Sequence, residues 1–250
     1  MSNVKIFVSV RDRHQCSIDC IESLIETTKG KADVYIFDNE SDGLEFRVLT
    51  SHYLKWSQEN EIAHVTLNRK GILEDVYWSK NFAWTQFLAM MEMLPDRKKK
   101  YLVMVDSDVI AKAGWLENCI EAIESPEAKE NKITIVSPYD GYPRYGFGSS
   151  PTRKREGGGI RLGNHSCMIR SRMVSRFWFA RYDYWKSFSP PPFNRVIRQG
   201  KLDRVPTDVW YWDQMIKRGE FFGALENELA HDPPYKFTSS RMLNKIGADT

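Results

Sequence analysis

Residues 101–109 read Tyr-Leu-Val-Met-Val-Asp-Ser-Asp-Val, and the fold turns on them. Apolar residues run without interruption into two carboxylates. A run this short, closed by polar residues, predicts a strand buried on both faces of a parallel sheet. Asp106 and Asp108 then stand at its C-terminal end, where open α/β sheets bind their ligands. Two carboxylates separated only by Ser107 repel each other unless a cation neutralises them. Oxygen donors of this kind suit Mg2+ or Mn2+, which bridge to phosphates. Taken alone, Asp-Ser-Asp also reads as a turn or as the N-cap of a following helix.

The chain upstream repeats the pattern. Residues 4–10, Val-Lys-Ile-Phe-Val-Ser-Val, predict a first strand, followed by Arg11-Asp12-Arg13. Residues 16–28 carry Ile18, Ile21, Leu24 and Ile25 at helical spacing. Residues 33–37 predict a second strand, which ends in the turn-forming Asp38-Asn39-Glu40-Ser41-Asp42-Gly43. Strand, helix and strand in this order make a βαβ unit. A mixed helix over residues 48–60, a short strand at 64–67 and a helix over 79–94 follow. Met90, Met91 and Phe87 on that last helix read as core.

Beyond the carboxylates, residues 115–123 predict a helix and 133–137 a strand. Residues 138–159 are rich in Gly, Pro, Tyr and Ser, which predicts a long mobile loop with Gly157-Gly158-Gly159 as a hinge. A strand over 162–169, a helix over 209–218 and an extended segment at 221–225 complete the pattern before His231.

At 250 residues, with 42% hydrophobic and 13% aromatic content, the chain suits one large α/β domain. No apolar run approaches the roughly 20 residues of a membrane span. Met-Ser-Asn-Val-Lys leads straight into a strand without a signal-peptide core, which predicts a cytoplasmic protein. Cys16, Cys20, Cys119 and Cys167 lack metal-finger spacing and read as buried free thiols. Charge is uneven. Of 36 Lys and Arg and 33 acids, residues 144–204 hold 14 bases and three acids, leaving 22 and 30 elsewhere. This predicts an anionic partner, or a merely solvated basic face, in that region.

Several of these pieces, in this order, resemble the inverting family-2 glycosyltransferases of the GT-A fold. They are Val-Ser-Val-Arg-Asp-Arg at 8–13, Phe-Asp-Asn-Glu-Ser-Asp-Gly at 37–43, Ser79-Lys80-Asn81, Asp106-Ser107-Asp108, Thr207-Asp208 and His231. The resemblance implies an α/β, Rossmann-like mixed sheet flanked by helices, forming one domain over residues 1–250. Residues 1–109 would bind a nucleotide-sugar donor, and residues 110–250 would bind the acceptor and catalyse. The family's roles would have Asp38 accept a hydrogen bond from the uracil or other base of the donor, with Ser9 and Arg11 lining the same pocket. Asn39 would belong to the same site. Lys80 would touch the diphosphate and Asn81 would hydrogen-bond nearby. Asp106 and Ser107 would meet the ribose or the metal shell, and Asp106, Asp108 and His231 would form a Mn2+ or Mg2+ site. Asp208 would be the general base, with Asp213 the competing candidate. Thr207 stands where the family has Glu, and Arg11 where it often has an aromatic or small residue.

The basic region falls on the acceptor side implied by the resemblance. Its stretch 176–186, Arg-Phe-Trp-Phe-Ala-Arg-Tyr-Asp-Tyr-Trp-Lys, interleaves bases with aromatics. Bases would meet phosphates and rings would stack on sugars or nucleobases, unless the rings are core. The acceptor is then a saccharide or glycolipid, hydroxymethylated DNA of the phage type, or a protein or small molecule. A nucleotidyltransferase would use the same carboxylates, but Val-Arg-Asp-Arg-His at 10–14 lacks the glycines of its phosphate loop. A non-catalytic nucleic-acid binder would leave Asp38, Asp106, Asp108 and Asp208 without a common purpose.

Overall fold

The structure is a computed structural model that describes residues 2–11, 13–39, 41, 43–68, 76–138, 159–170, 176–192, 196–198, 201–203, 205–226 and 229–231. The loop expected over 138–159 lies almost wholly outside these residues, as do Asp12 and the positions after His231.

A nine-stranded sheet among the described residues forms the centre, in the order β3-β2-β1-β4-β9-β6-β12-β8-β7. Strands β1 (Val4–Val10), β2 (Ala32–Asn39), β3 (His64–Asn68) and β4 (Tyr101–Asp106) are mutually parallel. Strand β9 (Phe177–Arg181) inserts antiparallel between β4 and β6 (Ile133–Ser137). Strand β12 (Phe221–Leu225) runs parallel to β6 and antiparallel to β8 (His165–Arg170), which pairs with β7 (Gly159–Leu162) at the far edge. The sheet therefore runs without a break across residue 109, because β9 from the later half lies directly against β4.

Alternation along the strands divides the core between two faces. Val4, Ile6, Val8 and Val10 of β1, with Tyr101, Val103 and Val105 of β4, pack toward α1 (His14–Thr28), α2 (Gly43–Gln58) and α4 (Trp115–Glu124). Phe7, Leu102 and Met104 point the other way, toward α3 (Val76–Glu92), α6 (Tyr182–Lys186) and α7 (Thr207–Arg218). That second face is aromatic: Trp84, Phe87, Trp178, Trp185 and Tyr211 are all fully buried there. The Trp84 indole donates to the Tyr211 hydroxyl at 2.8 Å, which fastens α3 to α7.

Two expectations change here. The strand expected over 162–169 is a hairpin, because Gly163 (φ +59°) and Asn164 form a two-residue turn between β7 and β8. A side chain at 163 would also meet Glu121 at 3.0 Å. The aromatics of the 176–186 stretch are core, not a stacking surface. Phe177, Trp178, Phe179 and Trp185 have no exposure, since β9 is covered on both faces. Two of its three bases pair with the protein itself: Arg181 with Glu124 at 2.6 Å, and Arg176 with Asp108. Gly223 on β12 has no room for a side chain, since a Cβ there would lie 2.9 Å from the Cys167 sulfur. All four cysteines are buried and unbridged. Among the described residues, no helix is long and apolar enough to cross a membrane.

Candidate active site

The alternation that builds the core also sorts the polar residues at the C-terminal edge of β1, β2 and β4. Asp38 follows the aliphatic face, toward α2, and is buried. The Tyr53 hydroxyl donates to one carboxylate oxygen at 3.0 Å and the Ser41 amide to the other at 3.0 Å. The buried anion in turn pushes the Tyr53 phenol upward, behind desolvation as the larger cause. A carboxylate keeps further lone pairs, so these bonds orient Asp38 without exhausting it.

Ser9, Asn39 and Asp106 follow the opposite face. Ser9 is in register with Asp106 across β1 and β4. The Asn39 amide donates to the Ser9 hydroxyl at 3.1 Å, and Asn68 donates to the Asn39 carbonyl at 2.8 Å and to Gln86 at 3.2 Å. A polar ladder thus crosses three strand ends to reach α3. Asn39 is fully buried within it and fixes Ser9. Arg11 continues β1, with its Nε and Nη1 withdrawn from solvent.

Asp106 faces α3, where the Lys80 ammonium lies 2.5 Å from its Oδ1. Burial raises the Asp106 carboxyl above the ordinary carboxylate range. The Lys80 charge opposes that shift and the Asp108 charge reinforces it. Asp108 lies just past Ser107, in the turn after β4. Arg176 reaches its Oδ1 at 2.7 Å and its backbone carbonyl at 2.9 Å, while Arg13 reaches Oδ2 at 3.2 Å. Arg176 also accepts the Asp106 amide on its own carbonyl at 2.8 Å, so the start of β9 holds the turn at two points.

Asp208 sits in the first turn of α7. Desolvation raises its carboxyl, and the Lys80 charge is the largest opposing influence. One ammonium therefore acts on Asp106 and Asp208 together, which brings residues 102 positions apart into one electrostatic site. Asp213, five residues further along the helix, is turned about 140° away from Asp208.

Asn81, expected to hydrogen-bond near the diphosphate, has its described hydrogen bonds to the protein itself. It is fully buried, and its amide donates to the carbonyls of Pro192 at 2.8 Å and Val205 at 2.9 Å. Its own carbonyl accepts the Thr207 hydroxyl at 2.6 Å. Asn81 is thus the tie that seats the start of α7, and with it Asp208, beside Lys80. Thr207 makes the same contact from the other side.

His231 lies on β13 (Ala230–His231), antiparallel to β5 (Ile110–Ala111), and is in register with Ile110. The late histidine is thereby carried back beside the segment that follows Asp108. Among the described residues, no three His, Cys, Asp or Glu side chains already stand together as a metal cage. Mg2+-type sites do not require one, because one or two carboxylates and the substrate's phosphates suffice. The Asp106–Asp108 pair fits that kind of site. Arg176 and Arg13 are the partners of Asp108 that local sequence reading missed. The sole local hint is the Arg-Asp-Arg at 11–13 directly after a strand.

With β1 to β4 parallel, an antiparallel β9 inserted beside them and carboxylates at the strand ends, the chain has the GT-A fold of glycosyltransferases. Neither a protein-family model nor a curated protein matches the sequence. The similarity lies in solved structures. GalNAc-T7 with UDP, GalNAc and Mn2+ superimposes with a TM-score of 0.57 at 12% identity, over 90% of this chain and 42% of that one. TarS 1–349 of S. aureus in complex with UDP-GlcNAc gives 0.55 at 14%, over 96% and 60%. Glucosyl-3-phosphoglycerate synthase from Mycobacterium tuberculosis, with Mn2+, UDP and phosphoglyceric acid, gives 0.52 at 12%, over 99% and 74%. The chain spans less than half of the GalNAc-T7 chain and about three fifths of the TarS one.

Proposed function

We propose that the protein is a metal-dependent glycosyltransferase that moves a sugar from a nucleotide-diphosphate donor to an acceptor hydroxyl with inversion. The observation that carries this reading is Lys80, placed between the strand-end carboxylate Asp106 and the helix-borne Asp208. A cationic group that will face a leaving diphosphate and a carboxylate whose proton affinity is raised by burial are what a one-step displacement needs side by side. The solved structures sharing the fold include ones holding UDP with Mn2+, which supports the same donor class.

In this reading the donor's base lies over the ends of β1 and β2, met by Asp38, Ser9 and Arg11. Asp38 is held in place by Tyr53, and Ser9 by Asn39. Asp106, Asp108 and His231 would hold Mn2+ or Mg2+, with Ser107 beside them. Bound there, the ion would supply neutralisation of charge on the departing diphosphate. Lys80 contributes a second positive charge at the same place. The acceptor oxygen attacks the anomeric carbon opposite the diphosphate and hands its proton to Asp208. As the new carbon–oxygen bond forms, the bond to the phosphate oxygen breaks and its electron pair leaves with the nucleoside diphosphate. Burial helps Asp208, because a carboxylate with a raised proton affinity is a stronger base. The acceptor is a saccharide or glycoconjugate, or hydroxymethylated DNA.

The test is a panel of nucleotide sugars incubated with Mn2+, first with water as acceptor and then with glycans and hydroxymethylated DNA. Release of nucleoside diphosphate from one donor supports the reading. Consumption of a nucleoside triphosphate with release of pyrophosphate would replace it with a nucleotidyltransferase.

A further inference from the structure

Arg13 and Arg176 approach one carboxylate from two directions, and neither arrives there by local convenience. Arg13 precedes α1 in a left-handed backbone conformation (φ 54°, ψ 51°), which a long side chain adopts only at an energetic cost. From there its guanidinium crosses to Asp108, 95 positions away in the chain. Arg176 is more deeply buried, with a side chain 12% exposed, and bridges the Asp108 carboxylate and carbonyl. Asp108 thus has two monovalent cations where a divalent one would bind.

The charges explain why. When ionised, Asp106, Asp108 and Asp208 carry three negative charges, and Lys80, Arg13 and Arg176 carry three positive ones. This group is balanced as it stands. A dication entering alone would have to displace a guanidinium and leave the cluster with excess positive charge. A dication entering with a nucleotide-sugar diphosphate, a dianion, restores balance and offers the displaced guanidinium a new partner.

Resting on the donor class proposed above, we propose that Arg176 and Arg13 are exchangeable countercharges. They hold Asp108 until a divalent cation and a nucleoside diphosphate arrive together. Arg176 then releases the carboxylate to the cation and pairs with the diphosphate. The site takes the metal–nucleotide complex and discriminates against the metal alone. Both arginines are positioning residues for the cation, and Arg176 is in addition a diphosphate-binding residue.

The experiment measures Mn2+ affinity by electron paramagnetic resonance of the unbound ion, with and without UDP, for the wild type, Arg176→Gln and Arg13→Gln. Without UDP, the wild type binds Mn2+ weakly, and UDP tightens that binding about tenfold or more. Arg176→Gln binds Mn2+ alone about tenfold more tightly than the wild type and binds UDP about tenfold less tightly. Arg13→Gln shows the same gain for Mn2+ to a smaller degree, its side chain being 39% exposed. Circular dichroism checks folding; should Arg176→Gln not fold, Arg13→Gln decides alone. Mn2+ affinity without UDP that stays at or below the wild-type value in the folded variants overturns the exchange. That outcome alongside wild-type turnover of a nucleotide sugar leaves the glycosyltransferase reading standing. Tighter Mn2+ binding by the variants, with no sugar transferred by the wild type, retains the exchange and removes that reading.

Discussion

The Lys80 ammonium lies 2.5 Å from Asp106 Oδ1 and is also the strongest charge acting on Asp208. It links the carboxylate at the end of β4 to the carboxylate at the start of α7. Removing it as Lys80→Met takes away a preformed positive charge where negative charge develops. We expect a fall of about 100- to 1000-fold in kcat, the size seen when one such preorganised group is lost. Steady-state kinetics with a cleavable donor checks this.

The same substitution has a second, separable consequence. Lys80 favours the ionised form of Asp208, so its loss lets burial raise that carboxyl further. With Asp208 as the proposed base, wild-type kcat is expected to rise with pH through a value above the ordinary carboxylate range, as Asp208 becomes able to accept a proton. In Lys80→Met this ascending limb moves to higher pH. A limb that stays fixed would mean that Asp208 does not sense Lys80.

Asp208→Asn should separate chemistry from binding. A general base typically contributes about 100- to 10,000-fold, so transfer falls by that order while UDP affinity holds. Stability moves the other way. The folded-state pKa of Asp208 is raised above its ordinary value of 3.8, so the folded protein retains the proton longer than the unfolded chain. Wild-type stability from this group is therefore present at low pH and is lost as pH rises through the folded value. Asparagine does not ionise, so the variant melts higher than the wild type near neutrality and the difference shrinks toward pH 4. Thermal melts across pH read this directly.

Asn81→Ala tests the tie between α3 and α7. It leaves the Thr207 hydroxyl and the carbonyls of Pro192 and Val205 without their buried partner. A loss of about 3 kcal/mol of unfolding free energy follows, at the upper end for buried polar groups left unsatisfied. Urea denaturation measures it. Because Asn81 seats Asp208, kcat should drop even at temperatures where the variant is fully folded, while UDP affinity changes little.

How much of this was legible beforehand depends on the range of the interaction. The strand ending in Asp106 was legible because burial on both faces demands an unbroken apolar run, and 101–105 supply one. The same rule applied to Phe-Trp-Phe-Ala at 177–180 points to a core strand, and the charges around it obscured that. Gly163-Asn164 carried a hairpin signal inside what read as one strand. The hydrogen-bond partners of Asn81 lie 111 to 126 positions away, and only the fold reveals them. Arg176 and Asp108, 68 positions apart, meet for the same reason. Local periodicity places polar groups at a sheet edge; which of them face each other is decided by strand order, which periodicity does not encode.

We propose that Asp106, Asp108 and Lys80 form one donor site, with Asp208 beside it as the base. This arrangement is tested most directly by calorimetric titration of UDP in the presence of Mn2+ into the wild type, Asp108→Asn and Asp208→Asn. We expect measurable binding by the wild type, its loss in Asp108→Asn and near wild-type affinity in Asp208→Asn. Equal affinity in Asp108→Asn and the wild type would contradict it.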